Sequence, residues 1–224
     1  MNKTNPLLAI VIVDYNGRKD TIECVNSLKQ SSYKKFKLIV VDNSSNAELG
    51  KHLPKGVEYT ANNKNAGLAI ANNQGIRKSL ALKADYTLLL NNDMVFEKNF
   101  LQKLVDCAQK HGDFAVITPK ILYFADKKTI WSTGLISRGL IAPSSRGLNE
   151  KDRIQFDKET EVFSAHCAVL FNNAVLKKIG LPYEDYFIMM EESEWGIRAG
   201  FSGYKNCYAP SAVCYHKVGK SMEQ

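Results

Sequence analysis

Acidic side chains follow three apolar runs that resemble strands. Asp14 and Asp42 come directly after such runs, and Asp93 follows the third run after Asn91 and Asn92. Carboxylate and amide oxygens are the ligands that a divalent cation carrying a diphosphate prefers. Asp is also a favoured helix N-cap, so a purely structural role is open for each of the three. The pattern therefore predicts either a cation site or a set of helix starts.

A second acidic cluster lies late in the chain. Glu191 and Glu192 follow the apolar run Phe187–Met190, and Glu194 stands four residues before Arg198. An ion pair at that spacing on a helix accounts for Glu194 and Arg198. Glu191 and Glu192 lie next to a segment that looks buried, where a carboxylate can act as a general base.

Three further polar residues are candidates for chemistry. His216 ends a short apolar run beside Lys217, where it can bind a metal or a phosphate or serve structure alone. His166 and Cys167 are neighbours in a run interpreted as a strand. Adjacent strand residues point to opposite faces, which argues against a thiol–histidine catalytic pair.

Alternating strands and helices position these residues in the first half of the chain. Apolar runs predict strands at 7–13, 36–41, 57–60 and 86–90, and three- to four-residue spacing predicts helices at 19–30, 47–53, 68–82 and 100–110. Such alternation indicates α/β architecture with a mostly parallel central sheet flanked by helices. Ligands of open parallel sheets bind beyond the carboxyl ends of the strands, so Asp14, Asp42 and Asp93 are expected in one crevice.

The second half is less regular. Strands are predicted at 115–121, 162–171, 204–208 and 212–216, and helices at 173–179 and from Glu191 onward. Residues 125–158 are predicted to form a long loop, a feature often linked to function. We expect one domain over residues 1–224.

Composition and charge limit the possible functions. The 224 residues include 45% hydrophobic and 24% charged side chains, with 30 Lys and Arg against 23 Asp and Glu, for a net charge of +7. Nearly all of this excess lies in residues 1–110, which favours a polyanionic partner. Five cysteines without paired spacing, and the lack of a secretory or membrane-spanning pattern, indicate a cytoplasmic protein with reduced thiols.

Five motifs in order resemble those of the family 2 glycosyltransferases, which have the GT-A fold. They are Val11–Gly17, Ile39–Ser45, Asn65–Gly75, Leu88–Asp93 and Glu191–Trp195, and they span nearly the whole chain. The rhamnosyltransferase-like branch of bacterial polysaccharide synthesis is the most similar. The chain differs from that branch at Ser164–Leu170, where His166 stands in a segment that usually contains glycine.

The resemblance assigns roles to individual residues. It implies that the nucleotide and donor sugar are bound by Asp14, Asn16, Asp42, Asn65, Gly67, Asn72, Asn92 and Asp93. Asp93 would hold Mg²⁺ or Mn²⁺ on the diphosphate, and His216 would complete that metal site. Glu192 would be the general base, with Glu191 as the second candidate. Trp131 stands where the branch often has an aromatic residue.

The implied activity is an inverting transfer of a hexosyl or rhamnosyl group. The donor would be a UDP- or dTDP-sugar and the acceptor a saccharide or a lipid-linked saccharide. Residues 1–110 would form the nucleotide-binding half and residues 111–224 the acceptor and catalytic half. The enzyme would be cytoplasmic, with peripheral contact at the inner face of the membrane as an option.

Other functions fit the sequence less well. A nucleotide-sugar-binding protein without transfer activity remains the main alternative, because it needs Asp42 and the Asn65–Gly67 loop but no base. A dinucleotide oxidoreductase needs a GxGxxG turn after the first strand, which Asp14–Lys19 does not supply. A sugar nucleotidyltransferase needs a glycine-rich basic loop there. Nucleic-acid binding needs a basic stripe with aromatic residues, whereas these lysines are scattered, so no nucleic acid is expected as a partner.

Overall fold

Four parallel strands place the amino-terminal acids side by side. In the computed structural model, which describes residues 5–46, 48–139 and 141–218, these strands are β1 (Leu8–Asp14), β2 (Phe36–Asp42), β3 (Val57–Ala61) and β4 (Tyr86–Asn91). They lie in the order β3-β2-β1-β4. Asp14 is in register with Asp42, and Val13 with Asn91. Strands β1, β2 and β4 therefore end at one edge of the sheet, as predicted.

The remaining strands extend the same sheet, except for two that form a separate sheet. The remaining strands are β5 (Met94–Phe96), β6 (Phe114–Tyr123), β7 (Ile130–Ser132), β8 (Leu135–Arg138), β9 (Ile141–Ser145), β10 (Thr160–Glu161), β11 (Ala168–Asn172) and β12 (Lys205–His216). Strands β8 and β9 form the separate two-stranded sheet. Strand β11 runs antiparallel between β4 and β6, and β12 runs parallel to β6. The sheet is thus mixed, with parallel strands in its first half. Strand β5 pairs with the end of β12, which places Met94 opposite His216.

Helices cover both faces of the sheet. They are α1 (Arg18–Lys29), α2 (Leu68–Ala81), α3 (Phe100–Lys110), α4 (Asn173–Ile179) and α5 (Glu191–Phe201), with a 3₁₀ helix at Leu49–His52. All seven residues of β1 are buried. Side chains alternate across a strand, so Leu8, Ile10 and Ile12 pack with α1 and α3, while Ala9, Val11 and Val13 pack with α2, α4 and α5. This two-sided burial explains why β1 is a continuous apolar run.

The irregular segment contains more strand than predicted. Residues 125–158, predicted as a loop, include β7, which pairs with β6, and the hairpin of β8 and β9. These strands are short, and their partners rather than their own composition stabilise them. The two strands predicted at 204–208 and 212–216 are one strand, β12 (Lys205–His216), with a register shift between Ala209 and Val213. Residues 162–167 precede β11 instead of belonging to it.

Two further properties bear on the expected cellular context. The five cysteines are free thiols in the structure. Among the described residues, none of the helices combines the length and the apolar character needed to cross a bilayer.

Candidate active site

A small cavity lies at the ends of β1 and β2. It has a volume of about 260 Å³ and is lined by Asp14, Asn16, Arg18, Asp42, Ser44, Asn46, Glu48 and Leu49. Three of the predicted site residues line it, and we call it the β1–β2 cavity.

Asp14 is a buried carboxylate held by hydroxyl and amide donors. Its Oδ1 accepts hydrogen bonds from Thr21 Oγ1 and from Asn92 Nδ2 at 3.2 Å, and its Oδ2 accepts one from Ser44 Oγ at 3.2 Å. Burial raises the pKa of Asp14, the charge of Asp42 adds to this, and the three donors oppose it. Asp14 therefore fixes the ends of β1, β2 and β4 relative to one another.

Asp42 and Asn16 complete the polar wall of this cavity. Asp42 accepts hydrogen bonds from the Tyr59 hydroxyl at 2.7 Å and from the backbone N–H of Ser44 at 3.0 Å. The backbone N–H of Asn16 donates to Ser44 Oγ at 2.9 Å, and its side chain is exposed. Asn16 has a φ of 54°, a left-handed conformation that Asn adopts more readily than most residues.

Asn92 reaches Asp14 past Gly17. Its Nδ2 donates to Asp14 Oδ1 and, at 3.0 Å, to Thr21 Oγ1. A Cβ atom at Gly17 would lie 2.3 Å from that Nδ2, so only glycine leaves space for this approach. The glycine of the first motif is thereby explained by a contact with the fourth motif.

The loop before α2 is closed by amide side chains. Asn65 Oδ1 accepts from Asn43 Nδ2 at 2.9 Å and from the backbone N–H of Gly67 at 3.0 Å. Gly67 has a φ of 91°, and Phe187 lies against the position that a side chain there would occupy. This loop therefore contacts the segment just before Glu191.

Asp93 and His216 meet at the carboxyl end of the sheet. The distance from Asp93 Oδ1 to His216 Nε2 is 3.1 Å, and both side chains are largely buried. Two adjacent ligands of an octahedral ion with bonds of about 2.1 Å lie about 3 Å apart. His216 Nδ1 is buried without a hydrogen-bond partner among the described residues. A carboxylate oxygen and an imidazole nitrogen at this spacing fit a divalent cation.

Two aromatic contacts connect His216 to His166. Trp131 meets His216 edge to face, with ring centroids 4.5 Å apart, and stacks on His166 at 4.7 Å. His166 Nε2 lies 2.9 Å from Ser145 Oγ and 3.2 Å from Ser132 Oγ. Burial lowers the pKa of His166 to about 4, with the nearby His216 as a smaller cause, so its ring is neutral at pH 7. Trp131 is packed between the two histidines.

The two acids at the start of α5 have different environments. Glu191 is fully buried, and its Oε1 accepts a hydrogen bond from Asn72 Nδ2 at 3.1 Å. Burial raises the pKa of Glu191 to about 9, and the charge of Glu192 adds to this, so Glu191 carries a proton at neutral pH. Glu192 is partly exposed. Of the pair, Glu192 is thus the carboxyl group that a substrate can reach.

Cys167 connects Glu192 to the strand that leads to Asp93. Its backbone N–H donates to Glu192 Oε1 at 3.0 Å, and its carbonyl accepts from the backbone N–H of Asn91 at 3.0 Å. Cys167 has a φ of 66° and is the centre of a three-residue turn closed by Ala168 N–H and the His166 carbonyl at 2.8 Å. Such a turn is strained, and strained residues are concentrated at functional sites.

The thiol of Cys167 is not an activated nucleophile. Its Sγ lies 4.0 Å from His166 Nδ1. The two residues precede β11, so the strand argument against a catalytic pair does not apply to them. However, burial raises the pKa of Cys167 well above its usual value, and the charge of Glu192 raises it further. The thiol therefore stays protonated.

The predicted residues form two adjoining groups. The β1–β2 cavity brings together Asp14, Asn16 and Asp42, and Asn92 leads from it to Asp93 and His216. The side chain of Asn72 belongs to neither group, because it donates to Glu191 at the start of α5 in the protein interior. Lys217 forms ion pairs with Asp20 and Glu23 of α1, which anchor the strand end that carries His216.

Sequence reasoning missed several supporting residues. They are Thr21, Asn43, Ser44, Tyr59, Ser132, Ser145 and the backbone of Cys167. Asn43 and Ser44 were within a quoted motif and were detectable in principle. The others are single polar residues whose partners are distant in sequence.

An exposed apolar segment precedes Glu191. Phe187, Ile188 and Met189 expose 56–59% of their surface, and Tyr186 and Met190 expose 36% and 39%. Met189 and Met190 have φ values of 68° and 75°. We call these residues the apolar segment 186–190.

The chain resembles known glycosyltransferases in sequence. A sequence model for the family described as "Glycosyl transferase family 2" matches residues 9–180. The chain is 25% identical to the dTDP-rhamnosyl transferase RfbF of Shigella flexneri, over 96% of this chain and 70% of the relative. It is also 25% identical to the uncharacterized glycosyltransferase RT0329 of Rickettsia typhi, over 80% of this chain and 54% of the relative.

Comparisons of structure confirm the predicted GT-A fold. The mannosyltransferase PcManGT from Pyrobaculum calidifontis, solved with GDP-Man and Mn²⁺, matches with a TM-score of 0.70 at 14% identity, over 99% of this chain and 59% of that one. TarS of S. aureus matches with 0.68 at 16% identity, over 95% and 37%. GalNAc-T7 with UDP, GalNAc and Mn²⁺ matches with 0.76 at 16% identity, over 96% and 44%. The chain thus spans between about a third and three fifths of these solved chains.

Proposed function

Because the chain belongs to glycosyl transferase family 2, we propose that it transfers a sugar from a nucleoside diphosphate donor to an acceptor hydroxyl, with inversion at the anomeric carbon. The observation that carries this proposal is the pair Asp93 and His216, 3.1 Å apart at the strand edge that also holds Asp14 and Asp42. The alternative, a nucleotide-sugar-binding protein without transfer activity, needs neither this pair nor a partly exposed carboxylate such as Glu192.

The β1–β2 cavity is the proposed nucleoside site. Asp42 and Asn16 line it and offer a carboxylate and an amide to hydroxyl and N–H groups. Its volume of about 260 Å³ suits part of a nucleotide rather than a whole nucleotide sugar. The diphosphate would then extend past Asn92 toward Asp93.

Asp93 and His216 are the proposed ligands of Mg²⁺ or Mn²⁺. The ion, when bound, neutralises charge on the diphosphate leaving group. Two solved relatives of the fold, PcManGT and GalNAc-T7, were determined with Mn²⁺. Trp131 packs against His216 and keeps its ring in place.

Glu192 is the proposed general base. It would take the proton of the acceptor hydroxyl while that oxygen attacks the anomeric carbon from the face opposite the diphosphate. The Cys167 N–H fixes one carboxylate oxygen. Glu191 lies in the interior, where burial raises its pKa to about 9, so it already carries a proton and does not serve as the base.

The proposed donor is a UDP- or dTDP-sugar, and a rhamnosyl or hexosyl group is the one transferred. The name of the Shigella flexneri relative supports dTDP-rhamnose as the first to test. The proposed acceptor is a saccharide of bacterial surface polysaccharide synthesis carried on a lipid. The apolar segment 186–190 lies directly before the base and supports a lipid-linked acceptor and peripheral membrane contact.

The division of labour between the halves is also part of the proposal. Residues 1–110 would bind the nucleotide, and residues 111–224 would supply the base and bind the acceptor. The metal pair takes one ligand from each half, Asp93 and His216.

A donor panel tests this function. The purified chain is incubated with UDP-, dTDP- and GDP-sugars and Mn²⁺, with and without a lipid-linked saccharide, and released nucleoside diphosphate is measured. We expect one donor to be consumed, and Glu192→Gln to lose turnover while it keeps nucleotide affinity. Glu150→Gln, an exposed carboxylate in the turn after β9, is the matched control. Nucleotide-sugar binding without product in any combination would instead support the non-catalytic alternative.

A further inference from the structure

A second cavity lies away from the proposed active site. It has a volume of about 690 Å³ and is lined by residues at the end of α3, before and in β10, and at the start of β12, among them His111, Glu159 and Cys207. Cys207 pairs with Ile117 of β6 and His216 with Tyr123, so six residue steps of β6 separate this cavity from the proposed catalytic metal pair. At about 3.3 Å per residue this is a separation on the order of 20 Å.

Two residues that line this cavity, His111 and Glu159, lie next to the buried side chain of Cys107, and all three are metal-binding types. Cys107 and His111 are four residues apart at the end of α3, where the backbone N–H of His111 donates to the Cys107 carbonyl at 3.1 Å. One ligand atom from each of Cys107, His111 and Glu159 lies within 4.8 Å of the other two. His111 Nε2 and Glu159 Oε2 are 3.0 Å apart. Sulfur, imidazole and carboxylate are the ligand types of zinc.

We propose that Cys107, His111 and Glu159 form a second metal site, which binds Zn²⁺ or a similar borderline-soft divalent ion. A tetrahedral zinc ion holds such atoms roughly 3.3 to 3.7 Å apart, so side-chain shifts of about an ångström complete the site. Three protein ligands leave one position for water. The carbonyl end of α3 adds partial negative charge, which favours a cation there.

Two features of the metal-free cluster must change when the ion binds. Lys110 Nζ is 2.6 Å from Glu159 Oε2, and its side chain is 65% exposed, so it can move into water. Burial raises the pKa of Cys107 to about 12, and the charge of Glu159 raises it further, so the thiol is protonated without metal. The positive charge of the ion favours the thiolate form of Cys107, so the Sγ proton is released to solvent as the metal–sulfur bond forms.

The site would connect two parts of the fold. It joins the end of α3 to Glu159, and from Glu159 the chain passes through β10 to His166 and Cys167. The metal would therefore hold in place the segment whose backbone orients Glu192. Its role is structural, distinct from the ion on the diphosphate.

Cobalt is the probe for this site, because a thiolate bound to Co²⁺ gives a charge-transfer absorption. The full chain carrying Asp93→Ala, which disables the proposed catalytic metal pair, is stripped with a chelator and titrated with Co²⁺ and then Zn²⁺. We expect one thiolate–Co²⁺ band per chain that Zn²⁺ removes, and a rise in Tm with Zn²⁺. Cys107→Ser should lose the band. Cys207→Ser, in the same cavity but outside the cluster, and Cys167→Ser, beside the crevice, should keep it.

A second variant covers the case in which Cys107→Ser does not fold. His111→Ala, at a half-exposed helix end, should weaken Co²⁺ binding at least about tenfold. Absence of the band in the parent chain, its survival in Cys107→Ser, or unchanged affinity in His111→Ala would each overturn the proposal. None of these readouts depends on glycosyl transfer, so failure here and failure of the proposed activity are distinguishable.

Discussion

Asp93 Oδ1 lies 3.1 Å from His216 Nε2, although Asp93 follows β4 and His216 ends β12, strands that are not neighbours in the sheet. Strand β5 brings them together, because Met94 pairs directly with His216. Strand β12 thus returns to the edge where β1, β2 and β4 end, and it supplies the second residue of the proposed metal pair.

Removal of either member of this pair should abolish metal-dependent turnover. We expect Asp93→Ala and His216→Ala each to reduce donor consumption at least about 100-fold, because the leaving diphosphate loses its counter-charge. Nucleoside diphosphate release as a function of Mn²⁺ concentration measures this. Asp113→Asn, in an exposed turn, is the control. Wild-type rates in Asp93→Ala would rule out the metal role.

Glu191 should make the protein less stable as pH rises. Its pKa is 4.5 in a free chain and about 9 when folded, so the folded state keeps a proton that the unfolded state releases between those values. Stability from this group is complete below pH 4.5 and falls by about 1 kcal/mol per pH unit up to pH 9. Urea unfolding at pH 7 and pH 8.5 measures the slope.

Glu191→Gln should remove that slope and keep turnover. A neutral amide still accepts the hydrogen bond of Asn72, as the protonated acid does. Glu150→Gln should leave the slope as it is in the parent. Full loss of turnover in Glu191→Gln would make Glu191 itself the base.

His166 should make the protein less stable as pH falls, the opposite of the effect of Glu191. Its pKa is 6.5 in a free chain and about 4 when folded, so the unfolded state takes up a proton first as pH falls. Its contribution is complete above pH 6.5 and is lost as pH falls toward 4. His166→Gln should therefore lose less stability than the parent between pH 6.5 and 4.5 in urea unfolding. His52→Gln, an exposed histidine, should behave like the parent, and equal losses in all three proteins would contradict the prediction.

Gly17→Ala should disturb the β1–β2 cavity without straining the backbone, because Gly17 does not have a positive φ. The added Cβ would lie 2.3 Å from Asn92 Nδ2, so Asn92 loses its hydrogen bonds to Asp14 and Thr21. We expect a loss of about 1 to 3 kcal/mol of unfolding free energy and weaker nucleotide binding. Gly200→Ala, whose Cβ meets its nearest atom at 3.7 Å, should be as stable as the parent or slightly more stable. Equal unfolding midpoints for the two variants would argue against this contact.

The apolar segment 186–190 should bind membranes. Ile188 and Met189 are 56% and 59% exposed, and the chain is basic, so we expect flotation with vesicles that contain anionic lipid. Ile188→Ser with Met189→Ser should reduce this binding several-fold with little change in Tm. Ile154→Ser, at an 85% exposed residue elsewhere, is the matched control. Vesicle binding that is equal in the double variant and the parent would remove the segment from the proposal.

The parallel half of the fold could be predicted from local sequence. Strands β1, β2 and β4 are apolar runs that end in Asp14, Asp42 and Asn91, and strand ends meet at one edge whatever the rest of the chain does. Strands β7 to β9 could not be predicted in this way. Their stability depends on pairing with β6 and with each other, and a short mixed sequence carries little sign of such partners.

Roles within the site were harder to predict than its location. Asn72 stands in a motif that the family resemblance assigns to nucleotide binding, yet its side chain turns into the interior and donates a hydrogen bond to Glu191. Glu191 and Glu192 are adjacent and identical in type, but Glu191 is fully buried, which raises its pKa, whereas Glu192 is partly exposed. Such differences depend on which side of a helix the protein covers, and that follows from tertiary packing.

The turn at Cys167 has a consequence for mutational scanning. Its hydrogen bonds with Glu192 and with the Asn91 backbone come from its own N–H and C=O, which every residue except proline carries in full. Its side chain adds one contact, since Sγ accepts from Asn91 Nδ2 at 3.3 Å. Replacement of the side chain by Ser or Ala leaves both backbone hydrogen bonds possible, and Gly relieves the positive φ. A scan that replaces side chains would therefore score this position as tolerant, although its peptide groups align the proposed base with the strand that carries the metal ligand.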